Sequence, residues 1–94
     1  MPKLSAEEAQ ALASQVPKWR VIEDRKLERR LEFNTFLAAI AFINGMAALA
    51  EAEGHHPDFC VRYSLLDVTL WTHAIGGLSE NDFILAAKID QLLG

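Results

Sequence analysis

The 94 residues predict an α+β domain with three helices packed on one face of a four-stranded antiparallel sheet, in the order α-β-β-α-β-β-α. Three observations carry this. Apolar residues recur at helical spacing in three separate segments, near the start, middle and end of the chain. Between them lie two pairs of short stretches that read as strands, with apolar and polar residues alternating most plainly in the later member of each pair. One side of the first pair is charged, so one face of the sheet is wet, which indicates antiparallel pairing.

Each element has its own signal. Ser5 followed three residues later by Glu8 is a capping-box pattern, and Ala9, Leu12, Ala13 and Val16 then repeat at helical spacing. A first helix over residues 6–15 follows, ended by Pro17. Residues 19–23 and 26–33 read as strands around an Asp24-Arg25 turn. Leu27, Leu31 and Phe33 point one way with the aliphatic stem of Arg29, and Lys26, Glu28, Arg30 and Glu32 point the other.

Asn34 or Thr35 caps a long central helix reaching Glu53, with Gly54 just past its end. Phe36, Ile40, Ile43, Ala47 and Ala50 form one apolar stripe, while Leu37, Ala41, Phe42 and Leu49 form a second. A helix apolar on two sides needs cover on two sides, which points to self-association. Residues 58–63 and 66–72 make a second hairpin across Ser64-Leu65, with Leu66, Val68 and Leu70 opposed by Asp67, Thr69, Trp71 and His73. Ser79, with Asp82 three residues on, starts the last helix, and Gly76-Gly77 reads as a turn before it.

Composition narrows the function. The chain is one domain with a single core. A net charge of −4 argues against a phosphate-binding surface and hence against nucleic acid. Cys60 is the only cysteine, so no intramolecular disulfide forms, and a reducing cytoplasm is expected. Cys60 reads as a small core or interface residue rather than a nucleophile. The N-terminal residues run straight into an acidic helical pattern, with no signal-peptide character. The longest apolar run, residues 36–50, contains Asn44 and Gly45 and falls short of the roughly 20 residues of a bilayer span. A buried helix, and no membrane contact, is the expectation.

The most informative stretch is Glu51-Ala52-Glu53-Gly54-His55-His56-Pro57. Glu51 and His55 are four apart, so on a helix they share a face within about 6 Å at Cβ. With His73 at the end of a predicted strand, the chain spends all three of its histidines in one region. Imidazoles titrate near neutrality and can both give and take a proton, so their clustering points to acid–base chemistry. Set against this, a lone histidine is more often a helix cap or a solvated turn residue. Zinc is not expected, because adjacent residues such as His55 and His56 diverge in direction and no His-x-x-x-His or Cys-x-x-Cys spacing is present. Trp19, Phe59 and Trp71 are candidates to stack on a flat heterocycle, although aromatics in strands are more often core.

Glu51, three residues, His55-His56-Pro57, five residues, Tyr63, nine residues, His73, eight residues, Asp82 resembles the signature of the pterin-4a-carbinolamine dehydratases. Trp19 at the first strand, Leu31-Glu32-Phe33-Asn34-Thr35-Phe36, and Gly77-Leu78-Ser79-Glu80 extend the resemblance over nearly the whole chain. It implies dehydration of 4a-hydroxytetrahydrobiopterin, the carbinolamine left by aromatic amino acid hydroxylases, to quinonoid dihydrobiopterin. It implies no cofactor, since the pterin is the substrate, and a homodimer or homotetramer, the tetramer joined through helices.

By that resemblance His55 and His56 are general acids toward the 4a-hydroxyl. His73 orients the pterin or takes the proton. Glu51 pairs with a histidine or holds the amino-pyrimidine edge, and Phe59, Thr72 and Trp19 line the substrate pocket. Gly54 departs from the acidic or amide residue that many relatives carry before the histidine pair, and Phe59 replaces a common tryptophan. A non-catalytic dimerisation module on the same fold is the alternative, and three clustered imidazoles favour the enzyme.

Overall fold

The computed structural model describes residues 2–94. The elements run α1 (Ala6–Ala13), β1 (Arg20–Ile22), β2 (Lys26–Glu32), α2 (Phe36–Glu53), β3 (Asp58–Arg62), β4 (Leu65–Leu70), a 3-10 turn (His73–Ile75) and α3 (Glu80–Leu93). All strand pairs are antiparallel, and the spatial order is β1-β2-β4-β3. The expected α+β order is the observed one. The two hairpins are therefore joined through β2 and β4, with β1 and β3 left at the edges.

Alternation sets the two faces of the sheet. Leu27 and Leu31 on β2 and Leu66, Val68 and Leu70 on β4 are buried, and they pack with Met46 of α2 and Phe83, Leu85, Ala86 and Ile89 of α3. Burying each of these large side chains contributes about 1.5–3 kcal/mol. The opposite face carries a charged lattice in which Arg30 and Arg62 both bond Asp67. Arg29 points to the helix side, as its stem predicts, and pairs with Asp90 on α3.

Caps mark the helix ends. The Ser5 hydroxyl accepts from the Glu8 N–H at 3.1 Å, and the Glu8 carboxylate accepts from the Ser5 N–H at 2.9 Å. Hydrogen bonding from Ser5, its backbone N–H first, holds the Glu8 carboxyl below the usual carboxylate range. Thr35, rather than Asn34, caps α2 by accepting from the Ala38 N–H. Gly54 ends it in the left-handed region at φ 65°, a conformation glycine adopts without a Cβ penalty.

Several expectations need correction. The first hairpin turns over three residues, Glu23-Asp24-Arg25, rather than the expected two, with Ile22 paired to Lys26 and both Glu23 and Asp24 at positive φ. The second turns at Tyr63-Ser64, with Tyr63 at φ 55°, one residue earlier than expected. Cys60 is exposed on the edge strand β3, on the charged face opposite Asp67, which removes the core half of its expected role and leaves the interface half untouched. α2 is less covered than a buried helix: only Ala39, Met46 and Ala50 are buried along it, and Leu37 is 76% exposed. By length and composition alone it is also apolar enough to cross a membrane. One sheet face and one neighbouring helix simply do not reach round its circumference.

Candidate active site

Three chain segments converge at one end of the sheet: the end of α2 running into β3, the end of β4 with its 3-10 turn, and the start of α3. Gly54 reverses the chain there, and the His55 backbone N–H reaches back to the Ala50 carbonyl at 3.2 Å. A bond of 2.7 Å from Lys88 of α3 to Glu53 fastens the same helix end. Because the helix stops at Glu53, the four-residue pairing of Glu51 with His55 does not form. Glu51 bonds Nε2 of His56 instead, and the His55 ring turns inward.

That inward ring meets Asp82, which has no exposed surface. His55 Nε2–H donates to Oδ1 of Asp82 at 2.5 Å. Oδ2 of the same carboxylate accepts from the Thr72 hydroxyl at 2.9 Å and from the Ser79 backbone N–H at 3.0 Å. With the Thr72 proton committed to Asp82, the Ser79 hydroxyl donates to Thr72 across 2.8 Å. A buried carboxylate with three donors is satisfied and fixed, so it fixes the ring it binds. In neutral His55 the proton therefore sits on Nε2 and the lone pair on Nδ1.

The other two imidazoles are open to solvent, with side chains 62% and 59% exposed for His56 and His73. Each still has a carboxylate. Glu51 holds His56, and Asp58 holds His73 at 3.2 Å. Asp58 also accepts from the indole N–H of Trp71 at 2.8 Å, and the Trp71 and His73 rings stack with centroids 4.1 Å apart. His73 thus lies on a 3-10 turn rather than a strand, because Thr72 and Gly77 bridge and Gly76 takes a left-handed φ of 62°. The result is three histidine–carboxylate pairs, one buried and two exposed.

Among the remaining expected residues, Phe59 sits on β3 opposite Val68 and is half exposed, so its ring is available to a flat ligand. Thr72 is adjacent to the site but spends its hydroxyl on Asp82. Trp19 is a correction: only 4% exposed, it packs in the core and donates its indole N–H to Asp90. Its place just ahead of an edge strand, under the last turn of α3, turns it inward. Asp58 and Trp71 are the residues the pattern underweights. Asp58 follows the histidine pair closely, and Trp71 shares the polar side of β4, which were the available signals. Among the described residues no group of three or more His, Cys, Asp or Glu side chains is arranged to hold a metal.

A family model described as "Pterin 4 alpha carbinolamine dehydratase" matches residues 2–92. A protein of Nitrosococcus oceani assigned as a pterin-4-alpha-carbinolamine dehydratase is 47% identical over 95 residues, covering 98% of this chain and 84% of that protein. The crystal structure of a transcriptional coactivator/pterin dehydratase from Brucella melitensis superposes with a TM-score of 0.92 at 30% identity, covering 99% of this chain and 100% of that one. A pterin dehydratase-like protein identified as a RuBisCO assembly factor in the alpha-carboxysome superposes with a TM-score of 0.69 at 28% identity, covering 82% and 90%.

Proposed function

Because this chain belongs to the pterin-4a-carbinolamine dehydratase family, we propose that it removes water from a 4a-hydroxytetrahydropterin such as 4a-hydroxytetrahydrobiopterin. It is an enzyme of the hydro-lyase class. The product is the quinonoid dihydropterin, which a reductase returns to the tetrahydropterin that aromatic amino acid hydroxylases consume.

The reaction breaks the C4a–O bond and the N5–H bond and forms a C4a=N5 double bond. A proton must reach the departing hydroxyl, and another must leave N5. No electron acceptor is required, so side chains that move protons suffice. His56 supplies the proton to the hydroxyl; its exposed ring, held by Glu51, supports that role. His55, set by Asp82, stands beside it as the second acid. His73 takes the proton from N5, supported by its own carboxylate partner Asp58. Phe59 offers the pterin an aromatic face.

The observation that carries this reading is the pairing of every histidine in the chain with a carboxylate at one end of the sheet. The enzyme works in the cytoplasm, in keeping with its free cysteine, and uses no bound cofactor, the pterin itself being transformed. It assembles as a homodimer or homotetramer, supported by the exposed Phe36 and Leu37 on α2. Neither nucleic acid nor membrane is a partner, as the acidic net charge suggests.

A second reading, a non-catalytic assembly module, draws on the RuBisCO assembly factor that shares the fold. Replacing His56 with alanine separates the two. Loss of dehydration with an unchanged sedimentation profile supports the enzyme. A wild-type protein that never accelerates dehydration supports the module.

A further inference from the structure

Trp71 has no part in the reaction just described, yet it touches everything that holds His73. A short 3-10 turn gives an exposed imidazole little support of its own. Two contacts supply it. The indole and imidazole rings are 4.1 Å apart at 35° between planes, and Nε2 of His73 lies 3.2 Å from Oδ2 of Asp58. That same oxygen accepts from the indole N–H at 2.8 Å. The three side chains close a triangle in which Trp71 both stacks on the ring and orients the carboxylate that binds it.

One corner of the triangle belongs to the sheet and a second directly continues it. Trp71 follows Leu70 of β4, on the face carrying Asp67 and Thr69, and Asp58 of β3 lies opposite Thr69. Lys26 of β2 holds its ammonium 4.7 Å from the indole centroid, which adds a cation–π contact. The indole is therefore already occupied by neighbours, which argues against its serving as a stacking platform for the pterin. Strand pairing fixes Asp58, and Trp71 is held between the end of β4 and the Thr72–Gly77 bridge, so both pass order to a residue on a turn.

We propose that Asp58 and Trp71 are positioning residues of the dehydration, committing Nε2–H of His73 to Asp58 and leaving Nδ1 to the pterin. The proposal rests on the dehydratase reading above. With Nε2 protonated, the lone pair of the neutral ring sits on Nδ1. Nδ1 takes the N5 proton as the C4a–O bond breaks and C4a=N5 forms, and the hydroxyl leaves as water with the proton from the acid. The imidazolium so formed stays bonded to the Asp58 carboxylate, which accepts no proton itself. An orienting aspartate plays this part beside a histidine base.

The test combines proton NMR of the free protein with single-turnover kinetics. The His73 ring protons should show an indole ring-current displacement that persists in Trp71→Phe only as a weaker phenyl effect, and vanishes in Trp71→Ala. The indole N–H resonance should move in Asp58→Ala. Trp71→Ala and Asp58→Ala should each lower the dehydration rate constant about tenfold with KM within about twofold, Trp71→Phe falling between. On a His73→Ala background neither should lower it further, because each acts through that ring. Additive loss on that background, or unmoved His73 resonances in Trp71→Ala, would overturn the proposal. Full activity of His73→Ala would overturn its catalytic half. A wild-type chain with no dehydratase activity would instead overturn the functional reading, with the resonances still deciding whether the ring is held.

Discussion

Nε2 of His55 lies 2.5 Å from Oδ1 of Asp82, a carboxylate with no exposed surface. This bond joins the end of α2 to the start of α3, and the carboxylate also closes the Ser79 cap. Structure and chemistry therefore meet in one residue. Asp82→Ala strands the Thr72 hydroxyl, the Ser79 N–H and the His55 ring, and should cost about 3 kcal/mol. Asp82→Asn keeps the shape but not the charge, and should lose about tenfold to a hundredfold in kcat/KM with a smaller loss of stability. Urea titration and initial rates on the two variants check both statements.

Gly54 controls where the histidine pair is delivered. Its φ of 65° is strained for any residue with a Cβ, although nothing lies within 4 Å of where that Cβ would stand. Gly54→Ala should therefore destabilise by about 1 kcal/mol through backbone strain alone. A variant as stable as wild type in a thermal melt would show that the turn has another solution.

Two apolar substitutions should separate the core from the uncovered side of α2. Leu66→Ala removes a fully buried side chain and should cost about 2–5 kcal/mol. Leu37→Ser acts at a residue 76% exposed, so it should leave the fold of the single chain nearly unchanged. In a homo-oligomer joined through α2 it should instead shift the assembly toward smaller species. Analytical ultracentrifugation of Leu37→Ser beside wild type reads this out.

The charged face supplies a pH prediction. The Arg30 guanidinium bonded to Asp67 holds the Asp67 carboxyl below the usual carboxylate range, with Arg62 adding to the effect. A carboxyl whose folded value is depressed contributes stability above its unfolded value of about 3.9. That contribution is lost as pH falls through the folded value. Asp67→Asn should therefore melt slightly below wild type at neutral pH, and the gap should close below about pH 4. The effect is small because Arg30 is solvated. A gap that widens in acid would contradict the assignment.

Most of the fold was legible because local rules agreed with each other. Alternation in β2 and β4 named the buried face, Ser5, Thr35 and Gly54 marked helix ends, and Leu66, Val68 and Leu70 entered the core as the pattern implied. The site was legible as a set of residues but not as a set of pairs. Spacing assigned Glu51 to His55, whereas the left-handed turn at Gly54 hands it to His56 and frees His55 for a carboxylate 27 residues away. Contacts across such distances leave no periodic trace. Trp19 misled for a related reason: a tryptophan ahead of a strand looks available until the last helix, through Asp90, covers it. The bridge between Thr72 and Gly77 likewise converts an expected strand end into the turn that carries His73.

Stopped-flow dehydration of synthetic 4a-hydroxytetrahydropterin, with and without a metal chelator, tests the central claim most directly. Proton transfer by histidines predicts a rate well above buffer, unchanged by the chelator and lost by about a hundredfold or more in His56→Ala. A rate no faster than buffer, or one that the chelator abolishes, would contradict it.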